Sequence, residues 1–446
     1  MKNSILQLFL IAFCFSLINC QSENEMNQKP NIILILADDI GAEGLSINGS
    51  TSYKTPVLDS LALNGINFTN ALSQPLCTPS RVKIMTGKFN YRNYEHFTYL
   101  NSNQKTFGNL FKENGYKTAI VGKWQLNGLK QNFIEREIAN DNKRPYEFGF
   151  DEYSLWQLTK TKDLGERFAN PLIEQNGEFL PRDENAYGPD VVSDYAVDFI
   201  RRNKDQPFFI YYPMLLVHDP FVPTPDSPEW NSLETRSEKN NRFFVDMVAY
   251  MDKIIGKIVN ELKAQGIAEN TLVMFVGDNG THPSLVTETN NGPVRGAKGN
   301  TITHGVHVPM VANWPSQIKN PGSYSGLIDL SDFYATFSDI LGVVDDSDGT
   351  SMMNIFSGKE TVKRETATIY YDPMWGQNVS QYRNLFSQDS RYKLYQDGSF
   401  FDMENDILEK EPLENDNLTE DQKAIKEILA RELNKFPKLP EKSFVR

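Results

Sequence analysis

Cys77, in Cys77-Thr78-Pro79-Ser80-Arg81, is the residue on which a chemical reading of this 446-residue chain turns. Of the three cysteines, Cys14 lies in an apolar stretch, residues 6–18, that follows Lys2 and reads as a secretory leader absent from the mature chain. Cys20 and Cys77 remain. Exported proteins normally pair their cysteines, so a lone internal thiol points to chemistry at sulfur, or to its chemical modification, more than to a disulfide scaffold. The alternative is a buried structural thiol. Around this thiol the sequence offers ionisable groups at a recurring kind of position: Asp38-Asp39, Lys123, His218 and Asp278-Asn279 each fall just after a short apolar run.

Those runs, residues 31–37, 118–121, 207–213 and 271–276, have the profile of strands buried on both faces. Helix-like stretches over 192–202 and 243–265 lie between them. The alternation predicts an α/β fold with a large, mostly parallel central sheet between helices. Ligands of such sheets bind beyond the carboxyl ends of the strands, which is where all four groups stand. From about residue 347 the texture shifts to short alternating segments, 366–371 and 391–395, followed by a turn at Gln396-Asp397-Gly398-Ser399. A smaller C-terminal antiparallel sheet is expected there, closed by a helix over 420–433 with its cap within 415–419. The expected organisation is a signal peptide (1–19), a tether (20–29), a catalytic domain (30–346) and a C-terminal subdomain (347–446).

The leader ends Ser16-Leu17-Ile18-Asn19-Cys20, which resembles a bacterial lipoprotein signal whose cysteine becomes the lipidated N-terminus, although Asn19 stands where Gly, Ala or Ser is usual. The expectation is an exported protein, in the periplasm or at the outer cell surface, anchored to the membrane by lipid on Cys20. Ordinary cleavage and release is the alternative. The polar tether is too hydrophilic to pack. Removal of the leader leaves roughly 425 residues, enough for one large domain and a smaller one. A formal charge of −13 argues against nucleic acid as a partner, so any anionic ligand must be met locally.

Leu76-Cys77-Thr78-Pro79-Ser80-Arg81 with Thr86-Gly87 resembles the Cys-x-Pro-x-Arg signature of formylglycine-dependent sulfatases, type I members of the alkaline phosphatase superfamily. Thr55-Pro56-Val57-Leu58-Asp59 and Gly65-Ile66-Asn67-Phe68-Thr69-Asn70-Ala71 fit the lead-in of that family. Downstream, Gly115-Tyr116-Lys117-Thr118-Ala119, Gly122-Lys123-Trp124, and Val308-Pro309 before Trp314-Pro315 follow in order, so the likeness spans nearly all of the mature chain. It implies an alkaline phosphatase-like fold and hydrolysis of sulfate monoesters.

The resemblance implies that a maturation enzyme oxidises Cys77 to formylglycine (3-oxoalanine), whose hydrated diol attacks sulfur. A sulfate ester is a delocalised anion with little electrophilicity, so its oxygens must be neutralised while an activated oxygen is presented. A divalent cation serves both needs. Asp38, Asp39, Asp278 and Asn279, with residue 77, offer oxygen donors suited to calcium or magnesium rather than zinc, and the family favours calcium. Pro79 and Ser80 should begin a helix whose positive end faces residue 77. Arg81 would hold the diol or a metal-ligating carboxylate. Lys123 and Lys298, the latter in Arg295-Gly296-Ala297-Lys298-Gly299, would contact sulfate oxygens, and His218 would protonate the departing alcohol.

Two departures stand out. Gln125 replaces the histidine of the family's Gly-Lys-Trp-His, and an amide orients a hydroxyl but takes no proton. Thr303-His304-Gly305-Val306-His307 stands where Glu-Gly-Gly and a basic residue are frequent. Gln125, His304 and His307 are candidate substrate-binding residues; His282 is the histidine nearest in sequence to Asp278-Asn279, and both His282 and the His304/His307 pair have a loop or structural alternative. Trp156, Trp230, Tyr371 and Trp375 are candidates for a sugar platform or for core. The substrate expected is a sulfated carbohydrate or polysaccharide-derived oligosaccharide, algal or host. Alternatives are a phosphodiesterase or phosphonate monoester hydrolase of the same superfamily, or a catalytically impaired glycan-binding protein.

Overall fold

A computed structural model of the chain describes residues 29–129, 134–160, 167–359, 363–374 and 381–439. The expected leader, Cys20, the tether up to residue 28, and Trp375 lie outside the described residues. Among those described, no helix is long and apolar enough to cross a membrane.

The main sheet is built from β1 (Asn31–Ala37), β2 (Ile66–Leu72), β3 (Lys117–Lys123), β4 (Glu152–Trp156), β5 (Ile173–Gln175), β6 (Glu178–Phe179), β7 (Phe208–Pro213) and β8 (Thr271–Gly277). A separate hairpin, β9 (Val286–Thr289) with β10 (Gly292–Arg295), precedes the last strands of the main sheet, β11 (His307–Asn313), β12 (Gly322–Tyr324) and β13 (Ile328–Asp329). The eleven strands run in the order β12-β2-β11-β8-β1-β7-β3-β4-β5-β6, with β13 also on β2. At the centre, β8, β1, β7, β3 and β4 are parallel neighbours. β11 runs antiparallel to both β8 and β2, and its register shifts between Val308 and Met310, where Pro309 cannot donate to the ladder.

β1 is apolar at nearly every position because alternate residues enter opposite cores. Ile33, Ile35 and Ala37 pack with the helices Gly188–Asn203 and Phe244–Ala264. Ile32, Leu34 and Leu36 pack with Cys77–Thr86, Phe107–Glu113 and Asp332–Leu341 on the other side. Burying each of these isoleucine and leucine side chains contributes roughly 1.5–3 kcal/mol. The sheet is therefore packed on both faces up to its carboxyl edge.

The helix Pro56–Leu63 has no side-chain cap of its own at Thr55. Asp252, buried on Phe244–Ala264, instead accepts hydrogen bonds from the amides of Val57 and Leu58, both at 2.9 Å. Burial pushes the Asp252 carboxyl up to about 6 from its ordinary 3.8, against the pull of those two amides. Its folded value thus lies above its unfolded value, so its contribution to stability is complete below the ordinary carboxyl range and is lost as pH rises through about 6. The melting-temperature difference between Asp252→Asn and the parent is expected to shift in favour of the variant from pH 5 to pH 8; equal differences at both pH values would contradict it.

The C-terminal antiparallel sheet is β14 (Ala367–Tyr371), β15 (Asn384–Gln388), β16 (Tyr392–Tyr395) and β17 (Phe400–Asp402), in that order. The helix Glu420–Leu433 covers one face through Leu429 and Leu433, and starts at a Thr419–Gln422 capping box. Ile369, Phe386 and Phe401, with Tyr371, form the other core with Leu72, Leu76 and Cys77. The small sheet thus closes over the beginning of the helix that carries Cys77.

Candidate active site

Strand ends bring the site together. Past β1, Asp39 adopts a left-handed φ of 67°, and its amide donates to Asp278 Oδ1 at 3.0 Å, just past the neighbouring β8. Asn279 Nδ2 donates to Asp39 Oδ1 at 2.9 Å and to the Gly280 carbonyl at 3.0 Å. Gly280 also approaches the next loop so closely that a Cβ there would lie 2.0 Å from the His304 carbonyl oxygen. Cys77 follows β2 and is itself the first residue of the helix Cys77–Thr86, two positions earlier than the Pro79-Ser80 start expected. The residue therefore lies in the positive first turn. Ligand atoms of Asp38, Cys77 and Asp278 lie within 4.8 Å of one another, all buried.

Cations surround this cluster. Lys123, the last residue of β3, places Nζ 2.9 and 2.8 Å from the two oxygens of Asp38. Its approach requires Gly122, whose φ is 116° and whose missing Cβ would lie 2.0 Å from the Pro213 carbonyl oxygen. Lys298 Nζ donates to Asp39 Oδ2. His218, beyond β7, holds Nδ1 2.7 Å from the Asp219 carbonyl and 3.0 Å from its carboxylate, leaving Nε2 toward the site, 3.6 Å from Asp39 Oδ2. Arg81 keeps Nε buried without a hydrogen-bond partner among the described residues. Its two terminal nitrogens donate to the main-chain carbonyls of Lys123 and Trp124, not to a carboxylate, so it fastens the Cys77 helix to the end of β3.

Burial acts to raise the Asp38 carboxyl, but Lys123, His218, Arg167 and Lys298 outweigh it and hold Asp38 below its ordinary value. Among the described residues Asp278 has no cation in contact, and burial together with Asp38 and Asp39 drives it well above the carboxylate range against the pull of Lys123. Burial likewise pushes the Cys77 thiol up despite Lys123 and Lys298, so the unmodified residue is a neutral thiol and a weak nucleophile. Burial lowers His218 while Asp39 pulls it back.

Three crowded, buried carboxylates call for a cation between them. Asn279 Oδ1 is buried with no hydrogen-bond partner among the described residues, and the two bonds of its Nδ2 fix the direction of that oxygen. Asp38, Asp39, Asp278 and Asn279 would hold a hard divalent ion through oxygen, as the donor set requires.

The candidate substrate residues are less gathered. Gln125 has φ 49°, its amide donates to the Gln157 carbonyl at 3.1 Å, and its Oε1 is buried without a partner among the described residues. His307 spends Nε2 on the Thr69 carbonyl at 2.8 Å, at the start of β11. His304 sits in the turn before it with Nδ1 unpartnered among the described residues. His282 turns back on Ser284 Oγ, 2.8 Å away. Tyr371 and Trp156 are core residues, and Trp230 is packed against Tyr187 and Arg236. Sequence reasoning missed Arg167, whose Nη1 lies 3.5 Å from Asp38 Oδ2. It belongs to no spacing pattern, and no signal in the sequence singles it out.

The sequence model described as "Sulfatase" matches residues 30–343, and one described as "N-sulphoglucosamine sulphohydrolase, C-terminal" matches residues 300–439. A protein named "Sulfatase" from Formosa agariphila is 26% identical over 92% of this chain and 88% of its own. An N-acetylgalactosamine-6-O-sulfatase from Bacteroides thetaiotaomicron is 28% identical, covering 77% of this chain and 80% of that protein. Among solved structures, Ps i-CgsB superposes with a TM-score of 0.73 at 27% identity over 92% of both chains. That protein has also been solved in complex with k-i-k-neocarrahexaose.

Proposed function

Because this chain belongs to the sulfatase family and is a sulfuric ester hydrolase, we propose that it removes sulfate from sulfated glycan oligosaccharides, using formylglycine made from Cys77 and a calcium ion. The observation that carries this reading is the convergence of Cys77, at a helix N-terminus, with Asp38 and Asp278 inside one buried cluster flanked by Lys123 and Lys298. Formylglycine supplies an oxygen nucleophile, and the cation supplies charge to a sulfate oxygen.

The chain's own residues do the rest. Asp38, Asp39, Asp278 and Asn279 would bind the ion, and Arg81 locks residue 77 against the end of β3. Lys123 and Lys298 lie where sulfate oxygens must be neutralised, each at present on an aspartate. His218 is oriented by Asp219 so that Nε2 is the atom that gives a proton to the departing sugar oxygen, which leaves as a hydroxyl. Gln125 carries no titratable proton, so it orients and does not act as base. A sugar-directed role is supported by the named activity of the Bacteroides relative and by the oligosaccharide bound to Ps i-CgsB. The placement proposed is outside the cytoplasm, on a lipid at Cys20, after action of a maturation enzyme.

The test is sulfate release by the matured protein from a panel of sulfated oligosaccharides, with an aryl sulfate in parallel. The parent is expected to act on sugar esters. For His218→Ala the loss on sugar sulfates should be about 10²–10⁴-fold, because an alkoxide needs a proton to leave, whereas a nitrophenyl sulfate should lose far less. No release from any saccharide would overturn the glycan reading. An equal loss on both esters would remove His218 from leaving-group protonation.

A further inference from the structure

We propose that Lys393, Tyr395 and Glu409 are positioning residues for Lys298: the C-terminal subdomain holds the loop that carries this lysine and so sets where its ammonium meets the sulfate. This rests on the place given to Lys298 in the sulfatase reading of the site.

Lys393 and Tyr395 alternate with Leu394 along β16. Tyr395 therefore enters the core shared with Cys77 and Val306, whereas Leu394 packs with the helix Glu420–Leu433 on the opposite face. Lys393 lies on the Tyr395 face, where the pattern calls for an apolar residue. Its side chain is 0% exposed, and that of its partner Glu409 is 2%. Lys393 Nζ lies 2.9 Å from Glu409 Oε1 and 4.0 Å from the centroid of the Phe386 ring. A buried ion pair adds little stability over apolar residues of similar size, so stability alone does not account for this one.

What the pair holds is the main chain just past Lys298. Lys393 Nζ donates to the Thr301 carbonyl, and Glu409 Oε1 accepts the Thr303 amide at 3.1 Å. The Tyr395 hydroxyl donates to Glu409 Oε2 and lies 3.3 Å from Thr301 Oγ1. From β14, the Tyr371 hydroxyl reaches the Gly299 carbonyl at 3.4 Å. Glu409 itself sits at a left-handed φ of 54°, a conformation that persists in a non-glycine residue where surrounding contacts impose it.

The catalytic domain holds the other end of the loop. The Lys298 amide donates to the Thr281 carbonyl at 3.0 Å, two residues past Asn279, and the Gly299 amide donates to the Pro75 carbonyl at 2.8 Å, two residues before Cys77. Lys298 is thus set between two anchorages, with Nζ on Asp39. Loss of the outer anchorage frees the main chain from Gly299 to Thr303 to shift, and a displacement of about 1 Å at a group that meets the reacting atoms costs up to about 10²-fold in rate.

The experiment pairs each substitution with Lys298→Ala. In matured protein, Lys393→Met with Glu409→Gln, which removes both charges together, is expected to lower kcat/KM for a sulfate ester by about ten- to a hundred-fold. In Lys298→Ala protein the same two changes should lower it by less than about two-fold more, because the residue they position is gone. Tyr395→Phe, the loss of one hydroxyl, should repeat the pattern at about three- to ten-fold, and it decides the matter if thermal melts show the double variant unfolded. Amide hydrogen exchange over residues 298–303, measured on unmatured protein, should quicken in these variants while β1 and β8 stay protected. Equal losses with and without Lys298, or unchanged exchange in the loop, overturn the inference. If Lys298→Ala impairs sulfate release and the Lys393, Glu409 and Tyr395 variants do not, only this inference falls. If Lys298→Ala leaves release intact, the role of Lys298 in the sulfatase reading falls with it.

Discussion

Cys77→Ala is expected to abolish sulfate release while leaving the fold intact. The loss should be on the order of 10⁴–10⁶-fold, as for other enzymes deprived of their covalent nucleophile. Among the described residues no other side chain of the cluster takes over, since Lys123 and Lys298 are the cations that the sulfate oxygens require and the remaining acids would be bound to the ion. The structural cost is small. Cys77 is a buried member of the core that holds Leu72, Leu76 and Val306, and removal of one sulfur atom there costs on the order of 1 kcal/mol. Protein made without the maturation enzyme should resemble the variant, because burial keeps the Cys77 thiol neutral. Sulfate release within ten-fold of the parent by folded Cys77→Ala would place the nucleophile elsewhere.

Asp278→Ala is expected to be nearly as damaging, by a second route. Asp278 packs against Asp39, whose amide it accepts, and the carboxylates of Asp38 and Asp39 oppose its ionisation. A divalent ion turns that repulsion into attraction. The parent should therefore gain thermal stability on adding calcium, by about 2.7 kcal/mol at a hundred-fold excess over Kd, and lose its activity to a chelator. Asp278→Ala should lose both the calcium-dependent rise in Tm and at least about 10³-fold in activity. A variant that still melts higher with calcium and still turns over would show that the ion sits elsewhere.

Much of the fold is legible because two-sided burial leaves few polar positions in a central strand, as at Asn31 and Thr271. The runs at 31–37, 207–213 and 271–276 became β1, β7 and β8 almost to the residue, and the capped helix at 420–433 matches its expected bounds. What periodicity does not encode is pairing direction. β11 enters the sheet antiparallel between β2 and β8, and nothing in Val308-Pro309 announces it. β5 and β6, of three and two residues, are too short to carry a pattern.

The site divides along the same line. Asp38, Asp39, Lys123 and Asp278 were readable because strand ends in a parallel sheet face one edge. Arg81 was readable as important but not in its partner, since the motif does not reveal that its donors turn to the carbonyls of Lys123 and Trp124. Arg167 was invisible. Its place beside Asp38, with its guanidinium carbon over the Trp156 ring, is one that only tertiary structure supplies.

The central claim is that residue 77 acts after conversion to an aldehyde. Peptide mass spectrometry of the segment containing Cys77, from protein produced with and without a formylglycine-generating enzyme, tests it most directly. The account predicts that co-production gives the mass decrease of thiol-to-aldehyde conversion at residue 77, with sulfatase activity rising in proportion to the converted fraction. An unmodified thiol in protein that is nonetheless fully active, or full conversion without any activity on sulfate esters, would contradict it.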